Sequence, residues 1–221
     1  MILIDLSQIM VASTMMSMGK DQSEVDIGMV RHMVLNSLRM YRQKYHVEYG
    51  ELVLCCDGRH SWRRDHFPQY KASRKSNREA DKRDWTQIFG CLDTIKSELE
   101  EYFPYKYIQI DESEADDIIG VLARTATEKV MIISGDKDFI QLQSHKNVKQ
   151  YSPITKKLIT NSHPEKYLKE HILRGDTSDG VPNFLSADNS IVDKIRQTPI
   201  SKKKVELWID QNPEDFCNEE Q

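Results

Sequence analysis

The chain contains four short, nearly continuous apolar runs, at residues 1–4, 51–56, 105–110 and 130–133. Runs of this length without polar alternation are typical of strands that are buried on both faces of a parallel sheet. We therefore predict that these runs form four strands of one central sheet.

Apolar residues recur at helical spacing between the runs, from Ile27 to Tyr41 and from Trp85 to Leu99. A further helix is predicted from Pro164 to Leu173, and a small hairpin from two short strands at 148–151 and 157–160. This alternation predicts an α/β fold with a mostly parallel central sheet and helices on both faces.

Residues 58–83 interrupt this pattern with a polar run that we call the basic segment. Between Arg59 and Arg83 it carries nine Lys or Arg residues against three Asp or Glu residues, although the whole chain has a net charge of −4. Loops of this length in compact domains tend to be functional, and we interpret the segment as an arch or lid. A second basic cluster lies at Lys194–Lys204. Such clusters are expected where a protein binds a polyanion.

The length of 221 residues suits one α/β domain with an appendage. We expect one α/β domain at 1–162, including the basic segment, and a helical region at 163–221. No apolar run approaches the roughly 20 residues of a membrane span, and the chain begins on a strand without a basic leader, so we expect no membrane contact and a cytoplasmic location. The four cysteines and seven histidines lack metal-type spacing, which argues against zinc and disulfides.

Acidic residues follow the predicted strands. Asp5 and Asp57 end the first two, Glu114-Ala115-Asp116-Asp117 opens a helix after the third, and Ser134-Gly135-Asp136-Lys137-Asp138 follows the fourth. The carboxyl ends of parallel strands meet at one edge of a sheet, and clustered carboxylates there favour a cation. Mg²⁺ is the natural ion, with Mn²⁺ as the alternative. A helix cap or a turn is the competing interpretation for any single acid, including Glu114 and Asp116.

The candidate ligands are numerous enough for two ions. They are Asp5, Asp57, Glu114, Asp116, Asp136, Asp138, Asp176 and Asp179.

The order of the motifs resembles that of flap endonucleases and 5′-to-3′ exonucleases, and of their phage-type members in particular. The resemblance covers essentially the whole chain. It is carried by Asp5, Cys56-Asp57-Gly58, the run from Trp62 to Arg74, Glu114-Ala115-Asp116-Asp117, the SGDKDFIQL run from Ser134 to Leu142, and Gly175-Asp176-Thr177-Ser178-Asp179.

The resemblance implies a PIN-like 5′ nuclease fold with a helical arch and a small helical appendage that binds duplex. It implies a first metal ion among Asp5, Asp57, Glu114, Asp116 and Asp136, and a second ion served by Asp138, Asp176 and Asp179. The catalytic residues that it implies are Lys71, Arg63, Asp116 and Asp136. The resemblance implies arch roles for Arg63, Tyr70, Lys71 and Arg74, and Tyr70 can stack on a terminal base. We also expect nucleic-acid binding by Arg64, by Arg74, Lys75 and Arg78 as a group, and by Lys202, Lys203 and Lys204. A merely solvated basic loop or helix face is the competing interpretation for the last two sets.

The function implied is that of a structure-specific 5′ nuclease, a metal-dependent 5′-3′ exonuclease or flap endonuclease. It would hydrolyse phosphodiester bonds at RNA or DNA 5′ ends by two-metal-ion catalysis and remove RNA primers during phage DNA replication. The implied partners are branched or nicked duplex DNA, RNA–DNA hybrid, and a replication clamp or single-strand binding protein. We expect a monomer, in the host-cell cytoplasm if the protein is phage-encoded.

Two features depart from the family pattern. The chain reads Gly180–Leu185 without a Gly-x-Gly turn after its GDTSD motif, and phage-type members continue for further helices where this sequence stops. We therefore expect a weaker grip on duplex, for which the second basic cluster substitutes. A minimal PIN-type ribonuclease, a Toprim-type domain and a non-catalytic nucleic-acid-binding scaffold are the alternative interpretations.

Overall fold

The structure is a computed structural model that describes residues 1–19 and 24–211. The chain divides into two compact units. The first is Met1–Ser61 with Lys82–Ser162, and the second is Trp62–Asp81 with the described part of His163–Gln221. Residues 212–221 of the predicted appendage lie outside the described residues.

Six strands form one sheet in the first unit, in the order β3-β2-β1-β4-β5-β6. The strands are β1 (Ile2–Asp5), β2 (Leu52–Cys56), β3 (Lys106–Gln109), β4 (Val130–Ile133), β5 (Val148–Ser152) and β6 (Lys157–Ile159). The pairings from β3 to β5 are parallel, and β5 and β6 form an antiparallel hairpin. The predicted mostly parallel sheet with a terminal hairpin is confirmed.

Eight α-helices and one 3₁₀ helix occur among the described residues. They are α1 (Leu6–Met18), α2 (Ile27–Tyr49), α3 (Arg63–His66), α4 (Ser73–Glu79), α5 (Trp85–Tyr102), α6 (Ala115–Thr125), the 3₁₀ helix Lys137–Ser144, α7 (Pro164–Arg174) and α8 (Lys202–Trp208). Two helices, α1 and α2, connect β1 to β2, whereas the periodicity from Ile27 to Tyr41 predicted only the second.

Successive residues of each buried strand pack on opposite faces of the sheet, as the pleat requires. Ile2 and Ile4 of β1 join a core that includes residues of α1, α2 and α5, whereas Leu3 joins a core with α6 and the 3₁₀ helix. In β2, Cys56 lies in the first core and Cys55 in the second. Helices therefore cover both faces, which explains why the strands read as continuous apolar runs.

The second unit has a small core of its own. Leu173 of α7 packs with Val205 and Trp208 of α8, and Phe184 meets the Trp208 ring edge-on at 5.2 Å between centroids. Gly175 ends α7, and a bridge between Asp176 and Val181 closes the loop that follows. In neither described range is there a helix with the length and apolar character to cross a bilayer.

Candidate metal centre and basic segment

The carboxylate of Asp5 lies at the end of the central strand and is almost completely buried, with 8% of the residue exposed. Its Oδ1 accepts a 3.0 Å hydrogen bond from the backbone N–H of Gln8, so Asp5 caps α1. Its Oδ2 accepts a 3.0 Å hydrogen bond from the hydroxyl of Ser134, which follows β4. Asp5 can therefore cap α1 and also belong to the predicted metal site at the strand end.

Asp57, at the end of β2, is held by two donors. The Ser7 hydroxyl donates to its Oδ2 at 2.6 Å, and the backbone N–H of Ala115 donates to its Oδ1 at 2.9 Å. Gly58 then brings the chain against the loop before α6, where its N–H donates to the Ser113 carbonyl at 2.8 Å. A Cβ at Gly58 would collide with the carbonyl oxygen of Ile110, so this close approach requires glycine.

The acidic motif after β3 lies at the start of α6. Glu114 is the N-cap residue, Asp116 and Asp117 occupy the first turn, and the Asp117 carboxylate accepts a 2.9 Å hydrogen bond from the backbone N–H of Glu114. Acidic side chains are favoured at a helix N-terminus, so capping accounts for part of this motif.

The acids after β4 are fixed by local hydrogen bonds. The backbone N–H of Asp136 donates to the Ser134 hydroxyl at 3.1 Å, and that of Asp138 donates to Oδ1 of Asp136 at 3.0 Å. The side-chain amide of Gln150, which is fully buried on β5, donates to the Ser134 carbonyl at 3.1 Å and to the Asp136 carbonyl. The Gln150 side chain on the neighbouring strand β5 therefore stabilises the turn that carries Asp136.

The carboxylates of three strand ends influence one another. Burial is the main cause that raises the pKa of Asp5, the hydrogen bonds from Gln8 and Ser134 lower it, and the negative charges of Asp57 and Asp136 raise it; together these effects bring the pKa to about 6. Like charges held this close in a buried setting repel, and a cation relieves the repulsion. Because the nearby donors are carboxylate oxygens, the cluster fits a hard divalent ion such as Mg²⁺ or Mn²⁺.

In the second unit, Asp176 is surrounded by donors. Its Oδ1 accepts from the backbone N–H and hydroxyl of Ser178, at 2.7 and 2.6 Å, and its Oδ2 lies 3.6 Å from Nε2 of His171. Burial alone would raise the pKa of Asp176, but these groups together with the N–H of Asp179 lower it overall.

Asp179 contacts the basic segment within the same unit. Its Oδ1 accepts a 2.7 Å hydrogen bond from the Arg74 guanidinium, and its Oδ2 accepts a 3.0 Å hydrogen bond from the Tyr70 hydroxyl. The Lys71 ammonium lies 3.7 Å from the same Oδ2. These contacts join the GDTSD loop to the segment predicted to act as an arch.

The predicted nucleic-acid-binding residues differ in exposure. Tyr70 is only 6% exposed, with the guanidinium of Arg63 5.8 Å from its ring centroid and the ammonium of Lys71 4.7 Å from it. Stacking of Tyr70 on a base stays a prediction and would require its ring to be uncovered. Arg64 and Lys75 are exposed, whereas Arg78 is half-buried.

The predicted lysine triplet is exposed at the start of α8. Lys202 lies 3.8 Å from Glu206, and the Lys204 ammonium lies 5.0 Å from the centroid of the Trp208 ring. The Ser201 side chain caps the helix by accepting from the backbone N–H of Lys204.

The sequence interpretation missed the polar residues that hold the acids. Ser7, Ser134 and Gln150 belong to this set, together with Gln8, whose Oε1 accepts a 2.6 Å hydrogen bond from the Gly135 N–H. Gln150 lies on β5 between the exposed Lys149 and the buried Tyr151, and a buried glutamine needs internal hydrogen-bond partners.

Comparison with known proteins identifies the family. Residues 1–172 match the model described as 5′-3′ exonuclease, N-terminal resolvase-like domain. The chain belongs to this 5′-3′ exonuclease family. Ribonuclease H of Enterobacteria phage T4 is 38% identical over 187 residues, which are 81% of this chain and 61% of that relative. A flap endonuclease, Xni, of Shewanella pealeana is 32% identical over 128 residues, covering 57% of this chain and 46% of the relative. The chain thus spans about three fifths of the phage T4 relative's length.

Solved structures support the fold. The phage T5 5′-exonuclease with bound zinc ions superposes with a TM-score of 0.67 at 15% identity, over 93% of this chain and 82% of that one. A phage T5 flap endonuclease in complex with DNA and metal ions gives a TM-score of 0.66 at 16% identity, over the same shares of both chains. The predicted PIN-like nuclease fold class is therefore confirmed for this member of the 5′-3′ exonuclease family.

Proposed function

We propose that this chain is a metal-dependent, structure-specific 5′ nuclease that hydrolyses phosphodiester bonds at RNA or DNA 5′ ends. The observation that carries the proposal is the group of strand-end carboxylates of Asp5, Asp57 and Asp136, whose mutual repulsion contributes to the raised pKa of Asp5. Family membership and the name of the 38% identical phage T4 relative support the same chemistry.

Five acids of the first unit are proposed to hold a divalent ion: Asp5, Asp57, Glu114, Asp116 and Asp136. When bound, such an ion polarises the phosphate and lowers the pKa of water for in-line hydrolysis. The protein's own contribution is to fix the carboxylates, through Ser7 on Asp57 and Ser134 on Asp5. We also predict a second ion, served by Asp138, Asp176 and Asp179. The choice of Mg²⁺ over Mn²⁺ is likewise a prediction.

The basic segment is proposed to handle the substrate's phosphates. Lys71 and Arg63 would neutralise negative charge that develops at the phosphorus, while Arg64, Arg74, Lys75 and Arg78 would track the backbone. The lysines at 202–204 would add contacts to duplex.

The proposed substrates are branched or nicked duplex DNA and RNA–DNA hybrid, in keeping with the removal of RNA primers or 5′ flaps during phage DNA replication. We also propose that the protein associates with a replication clamp or a single-strand binding protein. We propose further that it is a monomer and that it acts in the host-cell cytoplasm.

The test is a cleavage assay on end-labelled nicked, flapped and RNA-primed duplexes, with MgCl₂ or with EDTA. We expect metal-dependent release of short 5′ products. Metal-independent binding of the same duplexes without any cleavage would support the scaffold alternative. Cleavage of single-stranded RNA with no preference for a duplex junction would support the minimal ribonuclease.

A further inference from the structure

Two glutamine side chains, those of Gln143 and Gln150, form a hydrogen-bonded pair next to the turn that carries Asp136. Gln150 is fully buried on β5, and Gln143 is half-buried on the 3₁₀ helix. The side-chain amide of Gln143 donates to Oε1 of Gln150 at 3.1 Å. Oε1 of Gln143 in turn accepts a 2.9 Å hydrogen bond from the backbone N–H of Asn161, just after β6. The pair therefore connects the chain that leaves the hairpin to the turn after β4.

Gln150 satisfies backbone groups of this turn where β4 ends. The strand ends at Ile133, and the N–H of Ser134 still donates to the Tyr151 carbonyl at 3.1 Å. The carbonyls of Ser134 and Asp136 instead accept from the side-chain amide of Gln150. A buried carbonyl that loses its donor is costly, so the turn depends on this amide to keep its position.

The orientation of the Gln150 amide is set by Gln143. The two carbonyls of the turn are acceptors, so they need the NH₂ end of Gln150, whereas the oxygen of Gln150 must face a donor. Gln143 supplies that donor, and the N–H of Asn161 fixes the orientation of Gln143 in the same way. A change at Gln143 is therefore transmitted to the turn through Gln150.

The turn that the pair holds carries two candidate metal ligands and contacts a third. Oδ1 of Asp136 accepts from the N–H of Asp138 at 3.0 Å, and the Ser134 hydroxyl donates to Oδ2 of Asp5 at 3.0 Å. Loss of a hydrogen bond that orients metal ligands typically lowers metal affinity by about 10- to 100-fold. A displaced turn would therefore be felt at the metal centre.

We propose that Gln143 and Gln150 are positioning residues of the metal centre, which hold the turn so that the Asp136 carboxylate is oriented before an ion binds. The role rests on the proposed function, since it concerns a carboxylate assigned to a divalent ion. Neither glutamine belongs to the motifs that carry the family resemblance.

Mn²⁺ binding by the substrate-free protein, measured by electron paramagnetic resonance, tests the pair without reference to cleavage. Gln150→Met, which is close in volume but has no amide, should weaken Mn²⁺ binding by about 10- to 100-fold. Gln143→Glu should weaken it as well, because a carboxylate still accepts from Asn161 but has no N–H to donate to Gln150. The added negative charge alone would tighten the binding of a cation, so the sign of the change separates the two effects.

Asn147 offers a matched control with the same kind of contact at the other end of β4. Its side-chain amide donates to the carbonyls of Ala126 and Glu128, at 3.0 and 2.8 Å, before the strand begins at Val130. Asn147→Ala should therefore lower the urea midpoint of unfolding but bind Mn²⁺ like the parent. Parental Mn²⁺ affinity in Gln150→Met would overturn the proposal, and so would an equal loss of affinity in Asn147→Ala. Gln143→Glu supplies the same comparison if Gln150→Met fails to fold.

Hydrogen exchange of the metal-free protein, followed by mass spectrometry, separates failure of the pair from failure of the proposed function. Gln150→Met and Gln143→Glu should each speed exchange of peptides from residues 134–139 by about five- to tenfold, whereas Asn147→Ala should speed it only near residues 126–130. Unchanged exchange at 134–139 in both glutamine variants would contradict the positioning role. If the parent binds no Mn²⁺, the proposed function fails, while the exchange comparison still decides whether the two glutamines hold the turn.

Discussion

The hydroxyl of Ser7 donates a 2.6 Å hydrogen bond to Oδ2 of Asp57, although the two residues are 50 positions apart. Ser7 lies in the first turn of α1 and Asp57 follows β2, so the contact links the elements that leave two adjacent strands. A hydrogen bond of this kind fixes the orientation of a carboxylate before any ion arrives.

Ser7→Ala should therefore weaken metal binding without unfolding the protein. Loss of a partner that orients a ligand typically lowers metal affinity by about 10- to 100-fold. Titration of cleavage against MgCl₂ should show a higher midpoint and an almost unchanged maximal rate. Ser37→Ala is the control, because the Ser37 hydroxyl only donates to the Met33 carbonyl within α2. Equal midpoints for Ser7→Ala and the parent would contradict this role.

The raised pKa of Asp5 makes the metal-free protein sensitive to pH. The pKa is about 6 in the folded protein against a usual 3.8, so the folded state binds the proton more tightly than the unfolded state. The contribution of Asp5 therefore favours folding below about pH 4 and is lost as the pH rises through about 6.

In EDTA, Asp5→Asn should be more stable than the parent at pH 7, by up to about 3 kcal/mol. This gain should shrink as the pH falls from 6 towards 4. Urea unfolding of both proteins at several pH values measures the difference. A gain that does not depend on pH would show that the charge of Asp5 is not its source.

Asp136→Asn should abolish cleavage while the protein stays folded, because it removes one charge of the carboxylate cluster at constant side-chain volume. In EDTA the variant should be at least as stable as the parent, since repulsion with Asp5 is relieved. Single-turnover cleavage and thermal unfolding provide the two measurements. Asp93→Asn, on the exposed surface of α5, should match the parent in both. Turnover at the parental rate in Asp136→Asn would refute the site.

Gly180→Ala should destabilise the protein by about 1–3 kcal/mol, because alanine is strained at φ +79° and its Cβ would press on the Gln69 carbonyl. Gly90→Ala in α5 is the matched control, since its Cβ meets nothing within 4 Å and alanine favours a helix by about 1 kcal/mol. Denaturant unfolding should move the two variants in opposite directions. A neutral Gly180→Ala would mean that the loop can shift without cost.

Replacement of Lys202, Lys203 and Lys204 by alanine should flatten the dependence of duplex affinity on salt. Each phosphate contact contributes about 0.9 to the magnitude of the slope of log affinity against log salt. The triple substitution should therefore reduce the magnitude of this slope by up to about two or three units. Fluorescence anisotropy on a nicked duplex gives the slopes, with Lys149→Ala combined with Lys157→Ala as a control for exposed lysines of the other unit. Identical slopes for the triple variant and the parent would remove the triplet from the binding surface.

The sequence was most informative where burial dictates the residue type. Strands β1, β2 and β4 are buried on both faces, so their apolar runs stand out, and the acids that follow them mark one edge of the sheet. Helix α1 was not outlined by an apolar period, because its buried face includes the polar residues Ser13 and Thr14.

The partners of the acids could not be predicted from local pattern. Ser134 meets Asp5 across 129 residues and Tyr70 meets Asp179 across 109, and a serine or a tyrosine has the same local pattern whether or not such a contact exists. The prediction that Tyr70 stacks on a base did not take its burial into account, because burial is a property of the folded chain.

The position of β1 at the centre of the sheet has a consequence for how the chain folds during synthesis. β1 is synthesised before both of its neighbours, and one of them, β4, begins only at Val130. Until β4 emerges, that side of β1 has no partner strand, and closing such a long loop is slow. The first unit therefore cannot complete its sheet until β4 and the strands after it have been translated, and until then the nascent chain carries an apolar strand edge that other chains can pair with.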